Sequence, residues 1–124
     1  SDAEVYTVNN KENNIIRTAL SYIQKNFRDN ISIQQLADHV HLSPSYFMAQ
    51  FRKNVGFSAA EYISHYRINS VCKQITDTSR NISDIAFDCG FKNLSNFNRQ
   101  FLKIMGCTPI EYKRKIHSQK DPID

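Results

Sequence analysis

Apolar side chains recur at helical spacing along most of the chain, and residues that start and stop helices separate the runs. Ile16, Leu20, Ile23 and Phe27 outline one amphipathic helix. Ser32 with Gln35 has the spacing of a capping box, and Ile31 with Leu36 stands at staple positions, so a short helix is predicted through His39. Val40 to Leu42 form a turn. Ser43 then caps a helix with Pro44 at its first position; Phe47, Phe51 and Val55 share one face of it, and Gly56 stops it. Ser58 with Glu61 opens a longer helix, with Ile68, Val71, Cys72 and Ile75 inward.

The same order then begins again. Asn81 caps a helix carrying Ile82, Ile85, Ala86 and Cys89, and Gly90 with Phe91 turns the chain. Asn93 caps the next helix, with Phe97, Phe101 and Ile104 inward and Gly106 as its stop, and Thr108, Pro109 and Glu111 start a final helix through Ile116. Setting residues 45–62 over 95–112 gives eight identities in eighteen positions, among them Phe47/Phe97, Phe51/Phe101, Lys53/Lys103, Gly56/Gly106 and Tyr62/Tyr112. Upstream the register changes by one, pairing Ile33 with Ile82, Leu36 with Ile85, Ala37 with Ala86 and Leu42 with Phe91. The second copy therefore has one more residue in its turn. The expectation is an all-α fold of about seven helices: a first helix-turn-helix subdomain at 15–57, a connector helix at 58–77 and a second subdomain at 78–117. The polar, aperiodic segments 1–14 and 118–124 are expected to be tails or a linker stub.

Composition narrows this further. A chain of 124 residues, 40% hydrophobic and with only three Gly and three Pro, has core material for one compact domain or two small helical units. It has too few turn-formers for a many-stranded barrel. No apolar run approaches the roughly 18 to 20 residues that span a bilayer. Cys72, Cys89 and Cys107 are odd in number and sit in apolar patterns, as buried thiols of a reducing compartment do, so the cytoplasm is expected. The net charge of +4 is unevenly spread: residues 15–116 carry a surplus of seven positive charges, and the segments outside them a deficit of three. The part expected to fold is the cationic part.

A short helix, a tight turn and a second helix with an apolar inner face leave the outer face of that second helix for a ligand. In the first copy this face presents Ser45, Tyr46, Met48, Ala49, Arg52 and Lys53; in the second, Leu94, Ser95, Asn96, Asn98, Arg99 and Lys103. Neither stretch contains an acidic residue. A connector of this length spans about 30 Å at ~1.5 Å per residue, close to the ~34 Å of one turn of duplex DNA.

From about Ile15 to Ile116 the chain resembles the DNA-binding domain of AraC-type bacterial transcription regulators. The likeness is densest from Ile82 to Tyr112, through Ile85-Ala86, Gly90-Phe91, Ser95, Phe97, Arg99, Phe101, Lys103, Gly106, Thr108-Pro109 and Tyr112, with Tyr62 and Arg67-Ile68 upstream. The resemblance implies two helix-turn-helix units joined by one long helix, promoter DNA as partner, RNA polymerase as a candidate second partner, and no cofactor. The chain is expected to be either a short stand-alone regulator or, as its polar start slightly favours, the C-terminal domain of a larger ligand-sensing or phosphorylation-controlled protein, and this piece alone is expected to be a monomer. Met48 and Ala49 depart from the polar residue and arginine common there; they can touch a thymine methyl but cannot hydrogen-bond a base edge. Val71 and Gln74 replace smaller or aliphatic residues of the connector. Asn98 and Arg99 suit adenine and guanine edges.

The base-contact candidates are thus Ser45, Tyr46, Met48, Ala49, Leu94, Ser95, Asn96, Asn98 and Arg99, and the phosphate candidates Ser32, Arg52, Lys53, Asn81, Lys92 and Lys103. The four helix-centred phenylalanines belong to the core rather than to a stacking surface. Asp84 and Asp88 read as solvent-face carboxylates, and the histidines lack metal-ligand spacing. No catalytic signature is present, so a small enzyme is the weakest reading and a protein-binding helical bundle the main rival.

Overall fold

The computed structural model describes residues 2–120, with side chains from residue 13 to residue 119. All regular structure among them is helical: α1 (Asp2–Asn26), α2 (Ile33–His39), α3 (Pro44–Val55), α4 (Ala59–Asp77), α5 (Ile82–Asp88), α6 (Leu94–Met105) and α7 (Pro109–Lys120). The chain divides into two compact units, Ser1–Ile63 and Ser64–Asp124. The division falls within α4, so the helix set apart as a connector supplies Ala59 and Ile63 to the first core and Ile68, Val71 and Ile75 to the second.

The predicted caps form. Ser32 Oγ accepts the Gln35 N–H at 3.0 Å while the Gln35 side chain accepts the Ser32 N–H at 2.9 Å, a complete capping box at the start of α2. Ser43 caps α3 ahead of Pro44, Asn81 caps α5 and Asn93 caps α6. Thr108 and Glu111 make the second reciprocal box, at 2.9 and 3.2 Å. Gly56 and Gly106 end α3 and α6 with φ of 91° and 78°, where a side chain would strain the backbone. The extra residue of the second turn is also present: four residues separate α2 from α3 and five separate α5 from α6.

Each unit packs around the same aromatic ladder. Phe47 and Phe51 are fully buried with centroids 5.7 Å apart, and Phe51 meets Tyr62 edge-on at 5.8 Å. Phe97, Phe101 and Tyr112 repeat this at 5.8 and 5.7 Å. Around the ladders lie Ile16, Ala19, Ile23, Leu36 and Ala37 in the first unit and Ile68, Val71, Ile75, Ile85, Ala86 and Cys89 in the second. Both cores are apolar, with no buried polar or charged residue among those described.

Some expectations need correction. The segment read as a tail, 1–14, is helical backbone from residue 2 onward, because nothing between Asp2 and Asn26 is a Gly or Pro that would stop the helix from propagating backward. At the other end α7 continues to Lys120; residue 1 and residues 121–124 lie outside the described residues. Leu20, Val55, Cys72 and Ile104, expected inside, are only half-buried, each standing at the margin of its helix's apolar stripe.

Candidate nucleic-acid interface

In the first unit the side of α3 away from Phe47 and Phe51 carries Ser45, Tyr46, Met48, Ala49, Arg52 and Lys53, all exposed. Tyr46 is 53% accessible and Met48 46%, large apolar surfaces at the positions expected to face a ligand. Arg52 is paired across to the next helix: its Nη2 meets Glu61 Oε1 of α4 at 3.2 Å, a solvent-exposed ion pair. Lys53 makes no ion pair among the described residues.

In the second unit α6 exposes Leu94, Ser95, Asn98, Arg99 and Lys103, while Asn96, expected outward, is half-buried. The reason is local. The Asn96 N–H is held by the Asn93 cap at 2.7 Å, and Asn96 Oδ1 accepts from Arg99 Nη2 at 3.1 Å one turn later. A neutral acceptor thereby orients the guanidinium without cancelling its charge, and four of its five N–H donors stay available. The sequence reading missed Leu102, which is 50% exposed on α6; the repeat places it opposite exposed Arg52, a signal that could have found it.

The phosphate candidates divide. Ser32 and Asn81 spend their side-chain oxygens on helix caps, Asn81 Oδ1 accepting from Ser83 N–H at 2.8 Å and from Asp84 N–H at 3.4 Å. Lys92 is the residue added to the second turn and is exposed. Asn81 and Asn98 come together in one open groove of about 530 Å³, completed by Ile82, Ser83, Thr108, Pro109, Ile110 and Lys113. The position of Lys113 beside α6 was not foreseen, because it depends on how α7 packs. A second ion pair, Arg80 with Asp88, lies at the opposite end of α5 from its cap, and Arg80 also donates to Gln74 Oε1 at 3.0 Å.

Thiol chemistry lies elsewhere. Cys89 is buried beside Ser70 and Gln74, and burial pushes the Cys72 thiol above its ordinary value, which keeps it protonated. Among the described residues no helix is long and apolar enough to cross a membrane.

A helix, a tight turn and a second capped helix, repeated with the same inward aromatics and with a cationic outer face each time, define a tandem helix-turn-helix domain of the DNA-binding class. The family described as Helix-turn-helix domain matches residues 36–115. The melibiose operon regulatory protein of Escherichia coli (strain K12) is 35% identical over 101 residues, 82% of this chain and 33% of that protein. The C-terminal domain of AraT, a response regulator from Geobacillus stearothermophilus, superimposes with a TM-score of 0.78 at 27% identity, over 82% of this chain and 84% of that one. The DNA-binding domain of AdpA, a global transcriptional factor solved in complex with a target DNA, gives a TM-score of 0.81 over 87% and 97% at 15% identity, a likeness of fold. The chain belongs to the AraC-type helix-turn-helix family, the DNA-binding domains of bacterial transcription regulators. It spans 14% to 44% of the length of eight curated relatives that it matches, and so less than half of each.

Proposed function

We propose that the chain is the promoter-binding part of a larger transcription regulator, with α3 and α6 entering successive major grooves of a two-part site. Base-specific readout falls mainly to the second unit, where Arg99 addresses a guanine edge and Ser95 and Asn96 flank it. The observation that carries this reading is the 3.1 Å bond from Arg99 to Asn96, which pre-orients an uncompensated guanidinium on the exposed face of α6. In the first unit Met48 and Ala49 offer only apolar contact, to a thymine methyl, with Ser45 and Tyr46 beside them. Lys53, Lys103, Lys92 and Arg52 serve the backbone. The protein acts in the cytoplasm without catalysing a reaction, this piece is monomeric, and RNA polymerase is its second partner at the promoter.

Selection from a random pool of duplexes of about 30 bp at ~100 mM salt tests it. Two enriched motifs with centres about 10 to 11 bp apart are expected, the one bound by the second unit being sharper. A single enriched motif would reduce the first unit to a backbone clamp. Failure of the folded chain to retain any DNA at low salt would overturn the reading.

A further inference from the structure

The groove beside α6 joins residues from three helices of the second unit, and none of its lining residues is acidic. Its donors converge from separate elements. Lys113 of α7 is half-buried and forms no ion pair among the described residues; its Nζ reaches only the Arg80 carbonyl, at 3.5 Å, near the limit of a hydrogen bond. Asn81 has turned its Oδ1 into the α5 cap, which leaves the amide nitrogen as its outward donor. Asn98 contributes a second amide from α6, and Ser83 a hydroxyl. Glu111, the carboxylate on the first turn of α7, is not part of the lining and is held by the Thr108 cap at 2.9 Å.

The first unit has no counterpart. In the repeat register Met48 stands at the place of Asn98, Ala60 at that of Ile110, and Ile63, only 6% exposed, at that of Lys113. Gln34, opposite Ser83, has its amide committed to Asp38 at 2.8 Å. One copy of the duplicated frame therefore carries the Lys113 ammonium and the Asn98 amide where the other carries the apolar side chains of Ile63 and Met48.

We infer that this groove is a clamp for one backbone phosphate of the DNA, held by the Lys113 ammonium between the amides of Asn81 and Asn98. It follows that Asn98 is a backbone-positioning residue and not a reader of adenine. A phosphodiester has one charge over two unbridged oxygens, and a single ammonium flanked by neutral donors matches it in charge and in hydrogen-bond sense. The exposed Ile110 at the rim suits the apolar edge of a deoxyribose. The inference rests on the DNA-binding reading above.

The test uses the chain on its own selected duplex, with single methylphosphonates placed in turn along the backbone of the second half-site. One substitution should weaken the wild type roughly tenfold. Lys113→Gln should weaken binding to the unmodified duplex by a similar factor, lose its sensitivity at that one position and flatten the salt slope by about one unit. Lys113→Arg should keep the slope, which separates loss of charge from loss of fold. Asn98→Ala should weaken the selected duplex and its single-base variants alike. An unchanged slope and methylphosphonate profile in Lys113→Gln would overturn the clamp, and a change of base preference in Asn98→Ala would return that residue to base readout. If the wild type itself selects no sequence, the DNA reading fails first and the clamp falls with it.

Discussion

At the turn of each unit the backbone passes through the left-handed region, and the two copies handle it differently: His41 adopts φ of 61° where the second copy has Gly90 at 105°. Steric strain that the glycine avoids is thus kept in the first unit. The ion pairs differ in the same uneven way. The first unit sets Glu61 against Arg52 of its own outward helix, whereas the second makes its pair, Arg80 with Asp88, from residues outside α6, and Arg99 and Lys103 form no ion pair among the described residues. The aromatic ladders, by contrast, agree to within 0.1 Å in both centroid spacings. Duplication has held the interior constant because every ring there is packed by several neighbours, while the surface has diverged because a solvent-facing side chain answers only to its ligand.

The largest expected effects test the equivalence of the interiors. Phe51→Ala and Phe101→Ala should each cost about 3–5 kcal/mol in urea unfolding, since both delete a ring with the same stacking partners. Values differing by more than about 1 kcal/mol would show that the cores only look alike. Next comes the asymmetry of readout. Arg99→Ala should lose about 1–3 kcal/mol of affinity and flatten preference at one base position, and Ala49→Arg should add a preference in the other half-site. Equal weakening on every sequence would contradict the role given to Arg99.

The turn offers a third contrast. His41→Gly should raise stability by about 1 kcal/mol and Gly90→Ala should lower it by a similar amount. If His41→Gly loses stability, the imidazole makes a contribution that outweighs its strain. Smaller again is the release of Arg52: Glu61→Gln should steepen the salt dependence of DNA binding by up to about one unit while shifting stability by less than about 1 kcal/mol. A slope that stays put would mean that Arg52 never meets a phosphate.

The smallest effect concerns the cap of α7. Hydrogen bonds from the Thr108 backbone and hydroxyl hold the Glu111 carboxyl below its ordinary value of 4.5. A carboxyl depressed by folding stabilises the folded state above its unfolded value and ceases to do so as the pH falls through its folded one. Fraying at the start of α7 should therefore appear only below about pH 4.5, followed by the amide shifts of Thr108 and Glu111. Glu111→Gln should abolish that step, and persistence of the step would place it in another group.

What could be foreseen follows the range of each interaction. The caps at Ser32, Ser43, Asn81 and Thr108, the stops at Gly56 and Gly106 and the pairing of the phenylalanines were legible in the chain, because partners three or four residues apart meet on any helix regardless of the rest of the fold. The exposed faces of α3 and α6 were legible for the same reason, and the repeat confirmed them from within. The start of α1 was not, since a polar segment without periodicity can continue a helix as readily as fray from it.

Pairings between helices were beyond such reasoning. Arg52 meets Glu61 nine residues away, and Lys113 reaches the Arg80 carbonyl across 33 residues. Each depends on the packing angle of one helix on another, which is set by the summed contacts of a core and not by spacing along the chain. Local order and the choice of outward faces were thus written in the residues. Which of the described charges paired with one another, and which polar groups gathered in the groove beside α6, was settled when the helices packed, because electrostatic pairing depends on distance in space and that distance does not exist until the core has formed.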